Sequence, residues 1–279
     1  MATIQELLEL GRNKLNQSGN EYARYEGRVL LEEVLGQSHL YLLMNGSEQV
    51  TTEQEKAYLD LLEKRCSHYP LQYMLGYAHF MDYTFFVDEN VLIPRSDTEI
   101  LTELAKERIE KRGGRLHVLD LCCGSGCIGI SLKLYFENIH LVLSDLSEGA
   151  LRVAQKNLEK YGTNAELNQG DLFEGISDRV DLIVCNPPYI RTDEIASLMP
   201  EVRVYEPGLA LDGGQDGLSL YRRIIEEAGE HLSPKGELIF EIGYNQGAAV
   251  SSMMLEAHFH SVEVRKDYSG LDRVVYGHL

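Results

Sequence analysis

From Leu116 onward the chain alternates short apolar runs with helical stretches, and this alternation restricts the fold more than any other feature. The runs are Leu116–Leu121, Ile139–Ser144, Ala165–Asn168, Val180–Cys185 and Glu237–Ile242. Strands separated by helical connections build a doubly wound, mostly parallel α/β sheet, whose ligands sit at the carboxyl ends of the strands. Val262–Arg265 and Arg273–Tyr276, around Ser269-Gly270, read as a terminal antiparallel hairpin that brings the sheet to seven strands.

The N-terminal part has a different period. Ile4, Leu7, Leu8, Gly11 and Leu15 fall at helical spacing, as do Tyr22, Tyr25, Val29, Leu30 and Val34. Gly36 stops the second helix, and Thr51 or Thr52 caps another that carries Tyr58, Leu61, Leu62 and Arg65. Such a bundle either has a core of its own or serves as a docking module. Residues 71–95 switch to aromatic and β-branched runs, Phe80 to Val87 and Val91 to Ile93, broken at Asp88–Asn90 as in a hairpin linker. Ser96-Asp97-Thr98-Glu99 reads as a capping box. The expected division is a small helical domain over 1–73, a β-hairpin linker over 74–95 and a ligand-binding domain over 96–279.

Composition excludes several classes. The net charge is −18, and residues 1–90 carry 7 Lys and Arg against 14 Asp and Glu. Neither part is basic, so direct nucleic-acid binding is not expected, whereas a basic partner would be attracted. No apolar run approaches the roughly 18–20 residues that span a bilayer, and the acidic N-terminus lacks a secretory pattern. A cytoplasmic monomer is the expectation. Cys66, Cys122, Cys123, Cys127 and Cys185 contain no CxxC pair, so reduced thiols are expected rather than a metal site.

Val118 to Gly129 runs strand, glycine turn, helix start, and Gly124, Gly126 and Gly129 spell GxGxxG. With Asp145 at the end of the second strand, a nucleoside ligand is indicated, since backbone approaches closely and an acid can meet ribose hydroxyls. Dinucleotides and S-adenosylmethionine both satisfy this pattern. Asp120 favours the latter, because a carboxylate just before the turn suits a methionine ammonium group, directly or through water, and suits a pyrophosphate poorly. Asp171 offers an acceptor for an adenine amino group, beside the apolar Leu172 and Phe173.

Asn186-Pro187-Pro188-Tyr189, after the fourth strand, carries the chemistry. The two prolines hold an extended, rigid backbone. The Asn186 carboxamide oxygen and the Pro187 carbonyl can accept both hydrogens of a substrate NH2, and Tyr189 can pack on the attached π system. An amide or aniline-type nitrogen delocalises its lone pair and is a poor nucleophile. Two acceptors placed for a pyramidal nitrogen favour the geometry in which that lone pair points at a methyl donor.

With these motifs in place, the chain resembles the release-factor glutamine methyltransferases over essentially its whole length. The matching pieces are Pro70-Leu71-Gln72-Tyr73 with Gly76, Val91 to Arg95, Thr98-Glu99, Asp120 to Ile128, Asn186 to Tyr189, Glu206-Pro207 with Ala210-Leu211, Gly213-Gly214 with Asp216-Gly217-Leu218, and Asp272-Arg273. The resemblance implies transfer of a methyl group from S-adenosylmethionine, leaving S-adenosylhomocysteine, to the N5 nitrogen of the glutamine in a release factor's Gly-Gly-Gln motif. It implies that Cys122, Cys123, Gly124, Ser125, Gly126, Asp145, Leu172 and Asn186 contact the donor. Asn186, Pro187, Pro188 and Tyr189 would hold the glutamine, with Asn186, Pro187 and Tyr189 catalytic, and the N-terminal helices would dock the release factor. Asn-Pro-Pro-Tyr alone also resembles amino methyltransferases of DNA and ribosomal RNA bases, the alternative reading. Cys122-Cys123 depart from the family's usual Gly-Thr, and Ser96-Asp97 from Pro-Glu. Gly213-Gly214-Gln215 mimics the substrate motif but is read as a turn.

Overall fold

Thr3 opens the first helix. In the computed structural model, which describes residues 2–279, its hydroxyl accepts the Glu6 N–H at 3.3 Å while Glu6 returns to the Thr3 N–H at 2.7 Å. The chain divides into two units, Met1–Gly76 with Pro200–Tyr205, and Tyr77–Met199 with Glu206–Leu279.

In the first unit, helix α1 (Ile4–Gln17) buries Ile4, Leu7, Gly11 and Leu15 of the stripe its periodicity predicts and leaves Leu8 half-buried. Helix α2 (Ala23–Leu35) ends at Gly36, and α3 (His39–Met44), α4 (Thr52–Cys66, capped by Thr51) and α5 (Leu71–Leu75) follow. The stripe expected on α2 is corrected. Tyr22 and Tyr25 are 68% and 55% exposed, and the buried face is Ala23, Glu26, Gly27, Leu30 and Leu31. The cause is close packing at small residues. The Tyr58 hydroxyl of α4 donates to the Gly27 carbonyl at 2.8 Å, and a Cβ on Gly11 would collide with that hydroxyl. Polar Glu26 is buried because Arg65 meets it at 2.6 Å, and Arg65 also meets Glu201 at 2.8 Å.

The second unit begins with a hairpin, β1 (Tyr77–Phe80) and β2 (Tyr83–Phe86). Its turn is Met81-Asp82, not Asp88–Asn90, and Val91–Ile93 forms no strand. The capping box expected at Ser96–Glu99 is likewise corrected. Helix α6 (Ser96–Arg112) has Arg95 as its N-cap and no side-chain cap, and Glu99 instead accepts the Met81 N–H at 2.6 Å. Met81 is left-handed, φ +51°, and its amide goes to that carboxylate rather than to the strand ladder.

Strand β3 (His117–Leu121), α7 (Cys127–Tyr135), β4 (His140–Asp145), α8 (Glu148–Tyr161), β5 (Glu166–Gln169) and β6 (Val180–Cys185) come next. After α9 (Pro200–Tyr205), which belongs to the first unit, follow α10 (Ser219–His231), β7 (Leu232–Glu241), α11 (Gly247–Glu256), β8 (His260–Lys266) and β9 (Asp272–His278). The seven strands lie in the order β5-β4-β3-β6-β7-β9-β8, parallel except for the terminal hairpin, as the sequence predicts. Side chains alternate between two cores. Val118, Leu182, Val184 and Ile239 face α6, α7, α8 and the hairpin, while Leu119, Leu121, Ile183, Leu238 and Phe240 face α10 and α11. No helix among the described residues is long and apolar enough to cross a membrane.

Candidate active site

A cavity of 440 Å³ opens at the carboxyl ends of β3, β4, β5 and β6, the crevice where a sheet of this order places its ligand. One wall is the loop after β3, with Cys122, Cys123, Gly124 and Ser125, and a second is Ser144, Asp145 and Leu146. Gly170, Asp171 and Leu172 form a third, Asn186 and Pro188 a fourth, and Asn90 to Leu92 with Pro94 and Arg95 a fifth.

The glycine turn is held from outside. Asp145 accepts the Gly124 N–H at 2.8 Å and the Ser147 N–H at 2.9 Å, so the carboxylate that follows β4 also shapes the loop after β3. Burial pushes its pKa up, against the pull of those amides. Asn157 of α8 is fully buried and donates to the Ser125 carbonyl at 2.9 Å. It also takes both backbone groups of Phe86, accepting from the amide at 2.6 Å and donating to the carbonyl at 3.1 Å. One side chain thus joins the hairpin, α8 and the glycine turn. Nothing in its sequence surroundings marks it.

Cys122 and Leu172 are both left-handed, at φ +59° and +56°, and both line the cavity. Side chains with a Cβ avoid this region by roughly 1–2 kcal/mol per residue, so the turns are strained where the ligand would lie. At Cys122 the conformation explains why a glycine suits that position.

Not every expected residue reaches the cavity. Asp120 is fully buried and absent from the wall. Its Oδ2 accepts the Gly129 N–H at 2.8 Å, fastening the start of α7, while Oδ1 finds no hydrogen-bond partner among the described residues. Burial raises its pKa to about 7. Gly126 lies behind the turn as the N-cap of α7. Phe173 packs in the core against His231, rings stacked at 4.4 Å, and leaves Leu172 as the apolar face. Asp171 is on the wall with its carboxylate 2.9 Å from Arg223.

In the loop after β6, Asn186 and Pro188 line the cavity, and Pro187 and Tyr189 stand behind them. Asn186 Nδ2 donates to the Thr98 hydroxyl at 3.3 Å, so its Oδ1 is the atom left for the cavity. The Tyr189 hydroxyl donates to Glu241 at 3.2 Å, which anchors the far end of that ring. Gly213 packs against this backbone, where a Cβ would come within 2.7 Å of Tyr189 Cα, and Gly213 N–H bonds the Ile190 carbonyl at 2.8 Å. The Gly213–Leu218 run is therefore a turn buttressing the site. Glu206, buried, accepts the Ile93 N–H at 3.2 Å and pairs with Arg95, which holds the Val91–Arg95 wall.

A parallel sheet in this order, a strained glycine turn and an Asn-Pro-Pro-Tyr loop at one crevice define a methyltransferase. Residues 6–76 match the family model of the PrmC N-terminal domain, and 95–201 that of the methyltransferase small domain. The release factor glutamine methyltransferase of Geobacter sulfurreducens is 41% identical over 278 residues, covering 99% of this chain and 97% of that one. Its counterpart in Bacillus cereus is 38% identical, covering 99% of each. The chain belongs to the release factor glutamine methyltransferases. A solved T. thermophilus 16S rRNA N2 G1207 methyltransferase, in complex with AdoMet and guanosine, aligns with TM-score 0.52 and 20% identity over 72% of this chain and 49% of that one, a likeness of fold.

Proposed function

We propose that this protein transfers a methyl group from S-adenosylmethionine to the side-chain nitrogen of the glutamine in the Gly-Gly-Gln motif of peptide-chain release factors. The observation that carries the reading is Asn186, on the cavity wall with its Nδ2 engaged by Thr98 and its carbonyl oxygen left over. That oxygen accepts a hydrogen from the substrate NH2, and proximity in a fixed orientation supplies much of the remaining acceleration.

The residues present fit the donor. Cys122 to Ser125 and Leu172 supply close backbone and an apolar face, Asp145 an acceptor for ribose hydroxyls, and Asp171 one for an adenine amino group. The unpartnered, fully buried Asp120 Oδ1 suits an ammonium group reached through water. When bound, S-adenosylmethionine supplies an electrophilic methyl group on sulfur. The protein's part is to exclude water, orient the amide and stabilise its pyramidal form.

Residues 1–73 act as the docking module and 96–279 as the catalytic domain in this reading, with 74–95 between them. The support is compositional. Residues 1–90 have 7 basic against 14 acidic side chains and offer no catalytic constellation. Labelled-methyl transfer measured in parallel on a release factor, DNA and ribosomal RNA tests the whole. Label is expected in the release factor and lost when its glutamine is replaced. Label in either nucleic acid instead of the protein rejects the reading in favour of a base amino methyltransferase.

A further inference from the structure

Gln246 stands at the head of α11 with 8% of its surface exposed. Its side chain does no capping there, and glutamine is not among the residues favoured at that place. The carboxamide reaches elsewhere. Nε2 donates to the Tyr189 carbonyl at 3.0 Å and to the Gly217 carbonyl at 3.1 Å, while Oε1 accepts the Gly243 N–H at 2.8 Å. A glutamine amide has two hydrogens to give and one oxygen to accept with, so two carbonyls and one N–H settle which way it faces. One buried side chain thus joins the Asn-Pro-Pro-Tyr loop, the Gly213–Leu218 turn and the end of β7.

The backbone of Tyr189 depends on this donor. Just beyond it, the Ile190 N–H bonds the Leu211 carbonyl at 3.0 Å, the Ile190 carbonyl takes the Gly213 N–H at 2.8 Å, and the Thr192 N–H bonds the Gly214 carbonyl at 3.0 Å. Those bonds use both backbone groups of Ile190 and neither of Tyr189. A carbonyl withdrawn from water without a partner is costly, and Gln246 supplies the partner. The fit is close. A Cβ on Gly217 would come within 2.4 Å of the Tyr189 carbonyl oxygen and 2.8 Å of Gln246 Nε2.

What is fixed at Tyr189 is passed to Asn186. Asn186 follows Cys185, which pairs with Leu121 and Phe240 in the sheet. It precedes Pro187 and Pro188, whose rings lock φ and keep the backbone extended. With β6 held at one end, this stiff link has little torsional freedom to absorb a shift of Tyr189. The Tyr189 hydroxyl on Glu241 secures the ring and leaves the backbone of that residue to Gln246. We infer that Gln246 is a positioning residue: by clamping the Tyr189 carbonyl to the Gly213–Leu218 turn and to the end of β7, it sets where the Asn186 oxygen stands in the cavity. The inference rests on the glutamine methyl-transfer reading.

The test is labelled-methyl transfer by the full chain to an intact release factor, read as kcat, with the Kd for S-adenosylmethionine from calorimetry. Gln246→Met keeps the bulk of the side chain and removes its two donors. It should lower kcat by about 10- to 100-fold, the cost of a small misplacement of a reacting group, and leave the donor Kd within about 2-fold. Gln246→Glu, which turns an oxygen toward two carbonyls, should lose at least as much. Added to Asn186→Ala, Gln246→Met should cost less than about 3-fold more, because the group it positions is gone, whereas a purely structural role would keep its full factor. In the parent, the Gln246 side-chain NH2 hydrogens should exchange with solvent at least about 10-fold more slowly than those of an exposed glutamine. A parent that leaves the release factor unlabelled rejects the functional reading, and this role with it. An active parent with Gln246→Met at the parent kcat, or with the two substitutions multiplying in full, overturns the positioning role alone. Should Gln246→Met not fold, Gln246→Glu carries the same comparison, and rapid exchange of the parent's NH2 hydrogens overturns the clamp without any variant.

Discussion

Asn186 and Asp120 show how two polar residues near one cavity acquire different tasks from their surroundings. Asn186 is on the wall and keeps an acceptor free. Asn186→Ala should lower kcat by about 10²–10⁴ with donor affinity nearly unchanged, the range for one preorganised polar group. Equal losses in donor binding and turnover, by calorimetry and steady-state kinetics, would place it chiefly in the donor site. Asp120 is sealed beneath the turn with its pKa raised to about 7. A raised acid pKa means the folded state prefers the proton. Its contribution to stability is full below the unfolded value and is lost as pH rises through the folded one. Asp120→Asn does not titrate, so its melting temperature should gain on the parent between pH 5 and pH 8 while donor affinity falls. A constant difference across that range would contradict the raised pKa of Asp120. Among the thiols, Cys123 and Cys185 are buried and Cys122 is half-buried on the cavity wall. Saturating donor should therefore slow maleimide labelling of Cys122, located by peptide mass, and equal rates with and without donor would contradict the proposed donor position.

The hairpin β1–β2 is the element whose role is least evident from its composition. Phe80 and Phe85 are buried in the core that also receives α6, α7 and α8, and each contributes about 1.5–3 kcal/mol by burial. Its polar attachment is Asn157, with Tyr161 accepting the Thr84 N–H at 2.9 Å and donating to its carbonyl at 2.7 Å. Asn157→Ala leaves buried backbone groups of Phe86 and Ser125 without their partner, a loss of about 2–4 kcal/mol. Urea unfolding should report that loss, and calorimetry a weaker donor affinity, because Ser125 belongs to the glycine turn. Loss of stability with unchanged affinity would confine Asn157 to the hairpin.

For the whole molecule the governing quantity is charge. With net −18 spread over both the N-terminal residues and the remainder, attraction to a basic protein surface is long-ranged and screened by salt. Raising salt from about 50 to 300 mM shortens the screening length by roughly 2.5-fold and should raise KM for intact release factor. It should leave a short Gly-Gly-Gln peptide almost unaffected. Identical salt dependence for the two substrates would assign the acidity to solubility alone.

The sequence by itself determined the sheet, the terminal hairpin, the glycine turn and the Asn-Pro-Pro-Tyr loop. Each is written locally: period-2 and helical apolar patterns, glycines where the backbone turns left-handed, prolines where it must stay extended. Only the tertiary structure decided which polar groups face the cavity. Asp120 against Asp145, Tyr189 against Asn186, and Glu99 on a hairpin amide instead of its own helix all depend on partners 9 to 88 residues away. The same holds for α2, where Gly11 and Gly27 admit Tyr58 and so turn Tyr22 and Tyr25 outward. A side chain's burial is settled by what fills the space beside it, and that neighbour is supplied by the fold and not by the adjacent residues.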